Sequence, residues 1–282
     1  MSFSLNQLYS SIGITKQAVH QYARRQKDFD AKVAQVVVEA DELREDFPGC
    51  GVEKMYDILQ PDFIGRDRFV ETMMSLGYRL KLKKNYRRTT IASKLYYPNL
   101  IKGMQVNKPN TIWQSDITYI PIEGKHYYAV FIIDVYTKKI VGYSVSDHMR
   151  ASANVRALKM ALKENQAPKI HHSDRGSQYT YKGYTDLLEQ NGVKISMALS
   201  AQDNAYAERI NRTIKNDYIE RWKPKSFCEL KTMIKRAVIN YNHVRTHNAI
   251  QKMTPVAFEK QCSLLAIPQR TIMTIFNNEI IT

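Results

Sequence analysis

Apolar and polar residues alternate along the chain from Thr111 onwards, and this pattern predicts three β-strands in succession. The strands are expected at Ile112–Ile120, Tyr127–Val135 and Ile140–Ser146, separated by turns at Glu123-Gly124 and Thr137-Lys138. Helical and strand periods then alternate. The expected helices are Ser152–Asn165, Tyr181–Asn191, Ala205–Trp222 and Ser226–His243, and the expected strands are Lys169–Ser173 and Val193–Met197. This order predicts an α/β domain with a mixed five-stranded sheet and helices.

The residues before this domain have helical periodicity instead. Leu5–Gln26 predicts two short helices around Gly13, with Thr15 as the N-cap of the second, which is the spacing of a helix-turn-helix or of an ordinary helical hairpin. Further helices are expected at Asp30–Arg44, from Val52 to Leu59 and at Gly65–Leu76, where Gly77 ends the last one. The N-terminal part of the chain is therefore predicted to form small all-α units.

The charge balance of the 282-residue chain indicates a polyanionic partner. Forty-two Lys and Arg residues against 27 Asp and Glu leave a formal net charge of +15 and a pI near 9.6. No apolar run reaches the roughly 20 residues that span a bilayer, and the N-terminus lacks the pattern of a signal peptide. Nucleic acid is therefore the expected partner, and the cytoplasm is the expected location.

The cysteines do not indicate a zinc site or a disulfide framework. Cys50, Cys228 and Cys262 are far apart and form no C-x-x-C pair, and no histidine lies at ligand spacing from them. Three scattered cysteines are typical of free thiols in a reducing compartment. A structural zinc ion is therefore not expected.

One long segment concentrates the positive charge. From Thr72 to Ser115 the chain has no Asp or Glu but nine basic residues, interleaved with tyrosines. Six of these basic residues are candidate DNA contacts: Arg79, Lys81, Lys83, Lys84, Arg87 and Arg88. A solvated basic linker is the alternative interpretation, because most charge runs are solvated. Tyrosines that can pack on sugars and bases favour a segment that follows a phosphate backbone.

Three carboxylates lie where an acid needs a ligand or a partner. Asp116 is in the middle of an apolar strand, where an unpaired carboxylate is costly to bury. Asp174 follows the strand Lys169–Ser173 at its carboxyl end, the edge at which α/β sheets bind ligands. Glu208 lies on the long helix that follows. Carboxylates from separate elements can converge on hard cations, so the expected cofactor is two Mg²⁺ ions, for which Mn²⁺ can substitute.

The helix of Glu208 presents further polar groups on the same face. Asn204, Glu208, Asn211 and Lys215 follow the spacing i, i+4, i+7 and i+11. The two amides and the lysine are therefore candidate DNA contacts. Two other acids compete for the ligand role. Asp134 precedes a turn, where Asp is common, and Asp203 is expected to cap the helix.

Four segments together resemble the OrfB-type transposases of the bacterial insertion sequence 3 family, in the retroviral integrase superfamily. The segments are Trp113–Ile120, His172–Tyr179, Asp203-Asn204-Ala205 with Glu208, and a C-terminal stretch with Tyr241-Asn242, Arg245, His247 and Thr254-Pro255. The resemblance covers about residues 30 to 260. One interval departs from the family pattern, because the 33 residues between Asp174 and Glu208 are slightly fewer than usual.

The resemblance implies a ribonuclease H-like catalytic core, with Asp116, Asp174 and Glu208 as the catalytic and metal-binding triad. The implied activity is cleavage of insertion-sequence ends and strand transfer by two-metal-ion phosphoryl transfer. Arg245 and His247 become candidate DNA contacts. The implied partners are terminal inverted repeats, target DNA, further copies of the chain assembled on DNA, and an upstream OrfA segment, all in the bacterial cytoplasm at the nucleoid.

The expected domains follow from these assignments. They are a helix-turn-helix-like segment (1–30), a helical DNA-binding domain with a basic end (31–92), a linker (93–108), the integrase catalytic domain (109–262) and a C-terminal tail (263–282). Two other functions stay open. A different ribonuclease H-like metal nuclease needs neither the basic helical half nor the C-terminal stretch, and a non-catalytic DNA-binding regulator does not need the triad.

Overall fold

The computed structural model describes Tyr9, residues 11–80 and residues 97–275 of the chain. Contacts between residues divide the chain into two compact units. The first consists of Met1–Glu45 and Cys50–Arg79, and the second of Asp46–Gly49 and Leu80–Thr282. In the described ranges no helix is long and apolar enough to cross a membrane.

The first unit is helical, as predicted. Its helices are α1 (Lys16–Asp46), which runs on into the first residue of the second unit, α2 (Val52–Leu59) and α3 (Arg66–Ser75). Thr15 caps α1, because its hydroxyl oxygen accepts a hydrogen bond from the Ala18 amide at 3.1 Å. Gly77 follows α3 with a φ of 89°, a left-handed conformation that suits glycine and ends the helix.

The break predicted between two helices at residues 27–29 is wrong, because α1 is continuous there. This stretch contains neither glycine nor proline, and the ring of Phe29 packs edge-on against Phe63 at 5.8 Å. The helix also passes through the boundary expected between residues 30 and 31. Residues 1–8 and 10, which hold most of the first helix of the predicted helix-turn-helix, lie outside the described residues.

The second unit carries a mixed sheet. After the short strand β1 (Gln105–Val106), its strands are β2 (Ile112–Ile122), β3 (Lys125–Asp134), β4 (Ile140–Ser146), β5 (Ile170–Ser173) and β6 (Lys194–Met197). The five strands β2 to β6 lie in the order β4-β3-β2-β5-β6. β3 is antiparallel to β2 and β4, whereas β5 is parallel to β2 and β6. The predicted five-stranded sheet is therefore confirmed.

Helices cover the two faces of this sheet. The helices α4 (Ala151–Glu164) and α5 (Lys182–Gln190) share a buried cluster with Trp113 of β2. Neighbouring residues of a strand point to opposite faces, so Gln114 and Asp116 point the other way. On that face lies α6 (Ala205–Thr213), which continues into a π-helical turn at Ile214–Ile219 and a last turn, α7 (Glu220–Trp222).

The last described elements of the second unit pack against the residues at its start. The helices α8 (Phe227–His243) and α9 (Pro255–Leu264) are followed by the strand β7 (Met273–Thr274), which pairs antiparallel with β1. Ile275 beyond it is fully buried in a cluster that includes Ile101 and Ile112. The expected tail at 263–282 is thus structured as far as residue 275 and completes the core.

Candidate active site

The first carboxylate of the triad lies in the middle of the central strand. Asp116 is half-buried on β2, and its Oδ2 accepts a hydrogen bond from Nδ2 of Asn211 at 2.9 Å. Burial, together with the negative charges of Asp174 and Glu208, raises the pKa of Asp116 to about 8. The hydrogen bond from Asn211 acts in the opposite direction. Asp116 therefore lies within electrostatic reach of both other acids.

Asp174 lies directly after β5, beside Asp116 in the sheet. The parallel register of β2 and β5 ends at the pair Ser115 and Ser173, so the next residue of each strand is one of the two aspartates. Oδ1 of Asp174 accepts a hydrogen bond from the Gly176 amide at 3.0 Å. A Cβ at Gly176 would lie 3.0 Å from that oxygen, so glycine allows this close approach.

Glu208 lies on the first turn of α6, half-buried. Burial raises its pKa; Arg212 on the same helix lowers it, and Asp174 raises it. Asp174 thus raises the pKa of both other acids, and Glu208 raises that of Asp116. The three carboxylates share one electrostatic environment beside the carboxyl end of β5, next to the middle of β2.

The donor set fits a hard divalent cation by its chemistry. The three acids offer only oxygen atoms, and their mutual repulsion, which raises the pKa of Asp116, is relieved by a positive ion. In the described part of the chain, however, no three His, Cys, Asp or Glu side chains are close enough to hold one ion as they stand. Asp174 and Glu208 are half-buried, so their carboxylates are not fully enclosed.

The two asparagines predicted to contact DNA are buried instead. Nδ2 of Asn204 donates to the Ser115 carbonyl oxygen at 3.1 Å, and Asn211 donates to Asp116. Their exposed fractions are 2% and 6%. A role as DNA contacts does not fit this burial, because both amides face the sheet and not the solvent. Lys215 lies half-buried in the π turn.

Gln114 is a site residue that the sequence reasoning missed. It is fully buried on β2, and its Nε2 donates to the Asp203 carbonyl oxygen at 3.3 Å. Its Oε1 accepts a hydrogen bond from the Ala207 amide, also at 3.3 Å. Gln114 thus fixes the start of α6 on the strand of Asp116. The sequence did contain a signal for this role. Gln114 is polar and lies two positions before Asp116, so both side chains point to the same face of the strand.

Asp203 does not take the place of Glu208. Its Oδ2 accepts hydrogen bonds from the Leu199 and Ser200 amides, both at 2.9 Å. Burial alone would raise the pKa of Asp203, but the hydrogen bonds from Ser200 and Leu199 outweigh it and lower the pKa. Asp203 belongs to a 3₁₀ turn before the helix, and Asn204 is the N-cap residue of α6. The cap prediction was therefore wrong by one residue, although backbone amides occupy the carboxylate as expected.

Asp134 is likewise engaged elsewhere. It is buried, and its Oδ1 accepts hydrogen bonds from the amide and hydroxyl of Thr137, at 2.7 and 3.1 Å. Its Oδ2 accepts from the Asn110 amide. These bonds fix the turn between β3 and β4, which is the structural role that its position before a turn indicated.

The remaining candidates for DNA contact lie in the first unit, in an enclosed ion pair or outside the described residues. Arg79 is exposed at the end of the first unit. Arg245 is largely buried, with Nη2 3.2 Å from the carboxylate of Asp217 and Nη1 3.3 Å from Nδ1 of His247. A DNA contact by Arg245 does not fit this pairing. The other five basic candidates lie outside the described residues: Lys81, Lys83, Lys84, Arg87 and Arg88.

Two buried histidines brace the sheet behind the triad. Nδ1 of His172 is 2.8 Å from the Ser196 hydroxyl, and Nε2 of His171 is 2.9 Å from the Tyr184 hydroxyl. Burial lowers the pKa of His172 to about 4 and that of His171 to about 3. Both rings are therefore neutral at pH 7 and connect β5 to its neighbours.

Comparison with known proteins finds the same core. Two family models, both described as an integrase core domain, match residues 106–201 and 191–255. The uncharacterized 31 kDa protein of insertion element IS600 from Shigella sonnei is 34% identical over 211 residues, which are 72% of this chain and 78% of that protein. The transposase of insertion sequence element IS904 from Lactococcus lactis is 33% identical over 204 residues, 70% of this chain and 79% of that protein.

A solved structure supports the fold. A chain in the cryoEM structure of the simian T-cell lymphotropic virus intasome, in complex with PP2A regulatory subunit B56 gamma, is similar with a TM-score of 0.52 and 16% identity. The similarity extends over 78% of each of the two chains. At this identity the likeness concerns the fold alone.

The sheet, the order of its helices and these similarities define a polynucleotidyl transferase with an integrase catalytic core. The chain belongs to the transposases of insertion sequences, within the retroviral integrase superfamily. The ribonuclease H-like fold predicted from the sequence is confirmed.

Proposed function

We propose that this transposase cleaves the ends of its own insertion sequence and joins them to target DNA, with Asp116, Asp174 and Glu208 as the catalytic and metal-binding residues. The observation that carries the proposal is the electrostatic coupling of three acids from three separate elements at one edge of the sheet. Separate elements that bring like charges together at a cost in stability are typical of a functional site.

The residues around the triad have separate tasks in this proposal. Asn211 orients Asp116 through its hydrogen bond, and Gln114 holds α6, and with it Glu208, on β2. The three carboxylates would hold two Mg²⁺ ions, or Mn²⁺ in their place, which would supply Lewis acidity toward an attacking water or 3′-hydroxyl and positive charge toward the leaving oxygen. Asp116 is largely protonated at pH 7 as it stands, so it must release a proton to serve as a ligand.

DNA binding is proposed for surfaces outside the triad. We assign sequence-independent affinity to the acid-free stretch Thr72–Ser115, and end recognition to the helical N-terminal part, in the domain arrangement expected from the sequence. Assembly as a multimer on DNA at the nucleoid, with an upstream OrfA segment improving specific end binding, belongs to the same proposal. Lys215 and His247 stay candidate DNA contacts.

A strand-transfer assay tests the function. The substrates are duplexes with the terminal inverted repeats that flank the coding sequence of this chain, together with a supercoiled plasmid as target. We expect Mg²⁺- or Mn²⁺-dependent nicking at the repeat ends and covalent joining to the plasmid. Cleavage without joining would favour a different metal nuclease of this fold, and end binding without cleavage would favour a regulator. The same reaction with and without the OrfA segment measures the need for that partner.

Neutralising four basic residues together tests the proposed DNA path. Replacing Lys83, Lys84, Arg87 and Arg88 with glutamine is expected to lower the slope of log K against log salt concentration by about 0.9 for each phosphate that is no longer neutralised. The slope is measured by fluorescence anisotropy with a duplex of unrelated sequence. As a matched control, four lysines of the catalytic domain outside this stretch, Lys159, Lys163, Lys231 and Lys235, are replaced in the same way. A slope unchanged by the first set would show that the stretch is a solvated linker.

A further inference from the structure

The helix that carries Glu208 contains one turn that is not α-helical. Residues Ile214–Ile219 form a π turn between α6 and α7. A π turn holds an additional residue, is rare, and occurs frequently at functional sites. Since each residue rotates an α-helix by about 100°, the additional residue changes which side chains share a face before and after the turn.

The far side of the π turn is held by residues of the C-terminal motif region. Oδ2 of Asp217 lies 3.2 Å from Nη2 of Arg245, and the two side chains are only 20% and 14% exposed. The hydroxyl of the buried Tyr218 donates to Oδ1 of Asn240 at 2.7 Å. An enclosed ion pair is costly to break, because removal of one partner leaves the other charge buried and unpaired. These contacts fix the orientation of Asp217 and Tyr218.

The segment Asp46–Gly49 packs against the same turn within the second unit. The buried ring of Phe47 stacks on Tyr218 with 5.2 Å between ring centroids and an interplanar angle of 13°. Gly49 lies so close to Asp217 that a Cβ at this glycine would collide with the Asp217 backbone. Phe47 and Gly49, which are distant in sequence from the catalytic domain, thus pack directly on two residues of the π turn.

The helix before the π turn is held by β2, the strand that carries Asp116. Asn211, three residues before the turn, is hydrogen-bonded to Asp116, and Ile210 and Asn211 are both buried. Glu208 lies one α-helical turn before Asn211. One set of contacts therefore holds the helix before the π turn, and another set holds the turn itself. The additional residue of the turn sets how Asp217 and Tyr218 are rotated relative to Glu208 and Asn211.

We propose that Arg245, through Asp217, and Phe47, through Tyr218, are positioning residues that hold the π turn and thereby align Glu208 and Asn211 with Asp116. The inference deepens the proposed function and rests on it. It assigns Arg245, a member of the C-terminal motif, to alignment of the carboxylates instead of contact with DNA. Phe47 acquires a role in the catalytic domain although it lies more than sixty positions before the first carboxylate.

Deletion of Asn216 tests the register directly. The deletion removes the additional residue, so the ion pair to Arg245 and the hydrogen bond to Asp116 can no longer form together. We expect the Mn²⁺ dissociation constant, measured by calorimetry without DNA, to rise at least about tenfold, as it does when groups that orient metal ligands are removed. End cleavage should lose turnover at unchanged affinity for end DNA. The length-matched control, Asn216→Ala, should bind Mn²⁺ as the unaltered chain does.

A second pair of variants keeps the test decisive if the deletion variant does not fold. Arg245→Gln should weaken Mn²⁺ binding and slow turnover, and Arg245→Lys should restore most of both by retaining the positive charge. A folded deletion variant, or a folded Arg245→Gln variant, that binds Mn²⁺ as tightly as the unaltered chain would overturn the proposal. The proposal would also be overturned if the variants lost Mn²⁺ binding only in proportion to a fall in their melting temperature. That result would indicate a structural role alone.

The unaltered chain and Asp116→Asn separate this inference from the proposed function. If the unaltered chain binds Mn²⁺ and Asp116→Asn does not, the triad is the metal site, and the Arg245 variants report on positioning alone. If Asp116→Asn binds Mn²⁺ like the unaltered chain, the proposed function fails at the triad itself.

Discussion

Replacing Glu208 with glutamine is expected to lower the rate of end cleavage on the order of a thousandfold, the loss typical when one strong electrostatic interaction with the transition state is removed. Glutamine keeps the shape of the side chain, and only the negative charge that holds a cation is lost. Binding of end DNA, measured by gel shift, should change little. The cleavage assay uses end-bearing duplexes with Mn²⁺.

Asp203→Asn is the matched control for Glu208→Gln. Both changes turn an acid into its amide, and the two positions are five residues apart. The Asp203 carboxylate is occupied by the Leu199 and Ser200 amides, and an asparagine oxygen can accept the same hydrogen bonds. Substantial activity should therefore remain. An active Glu208→Gln beside an inactive Asp203→Asn would transfer the third ligand role to Asp203 and contradict the assignment.

The sequence predicted the sheet well because its signal is local. Alternation along Ile112–Ile120 reflects a strand with different surroundings on its two faces, and the polar Asp116 inside it marks the face on which α6 lies. The turn predicted at Glu123-Gly124 is also present. Both residues adopt positive φ values there, 46° and 79°, as tight hairpin turns require. Strand bounds in the structure differ from the predicted ones by at most a few residues.

The errors arise where partners distant in sequence decide the outcome. The shared face of Asn204, Glu208 and Asn211 was predicted from the helical period, but that face packs on β2, so both amides are buried. No periodicity shows whether a polar face meets solvent or a polar strand. The same limit applies to α1, whose continuity through residues 27–29 accompanies packing against Phe63.

The π turn and the residues that stabilise it are the features that the sequence predicted least. An additional residue in a helix leaves no mark in composition, and its stabilising contacts come from Phe47, Asn240 and Arg245, which are all more than twenty positions from the turn in sequence. The C-terminal motif could therefore be recognised as a pattern, but the enclosed pairing of Arg245 with Asp217 does not fit the DNA contact expected of it. Pairing of β7 with β1 is hidden in sequence for the same reason.

Removing divalent cations is expected to abolish cleavage and to leave the fold intact. The five-stranded sheet and the buried apolar clusters on it supply the packing of the described catalytic unit, and the proposed cations contact only the three carboxylates. EDTA should therefore eliminate end cleavage while the circular dichroism spectrum stays unchanged. Added Mg²⁺ or Mn²⁺ should restore activity, whereas Zn²⁺ should not be needed for folding. Unfolding on chelation would contradict this expectation and indicate a structural metal ion.

The pH dependence of metal-free stability gives the same site an independent signature. Asp116 has a pKa of about 8 in the folded chain and an ordinary value of 3.8, so between these values the folded state retains a proton that the unfolded state has lost. The stability that the neutral carboxyl contributes is therefore complete below about pH 4 and is lost as pH rises towards 8. Asp116→Asn should flatten this decline in the melting temperature measured in EDTA.

Metal binding should follow the opposite course. A cation requires the ionised form of Asp116, so its apparent affinity should increase about tenfold for each pH unit up to about pH 8 and then level off. Calorimetry in buffers of different ionisation enthalpy measures the proton released when Mg²⁺ binds. Because repulsion from Asp174 and Glu208 helps to raise that pKa, the variant Glu208→Gln should move the levelling-off point to lower pH. Affinity independent of pH between 6 and 8 would mean that Asp116 is already ionised or is not a ligand, and either result would contradict the proposed metal site.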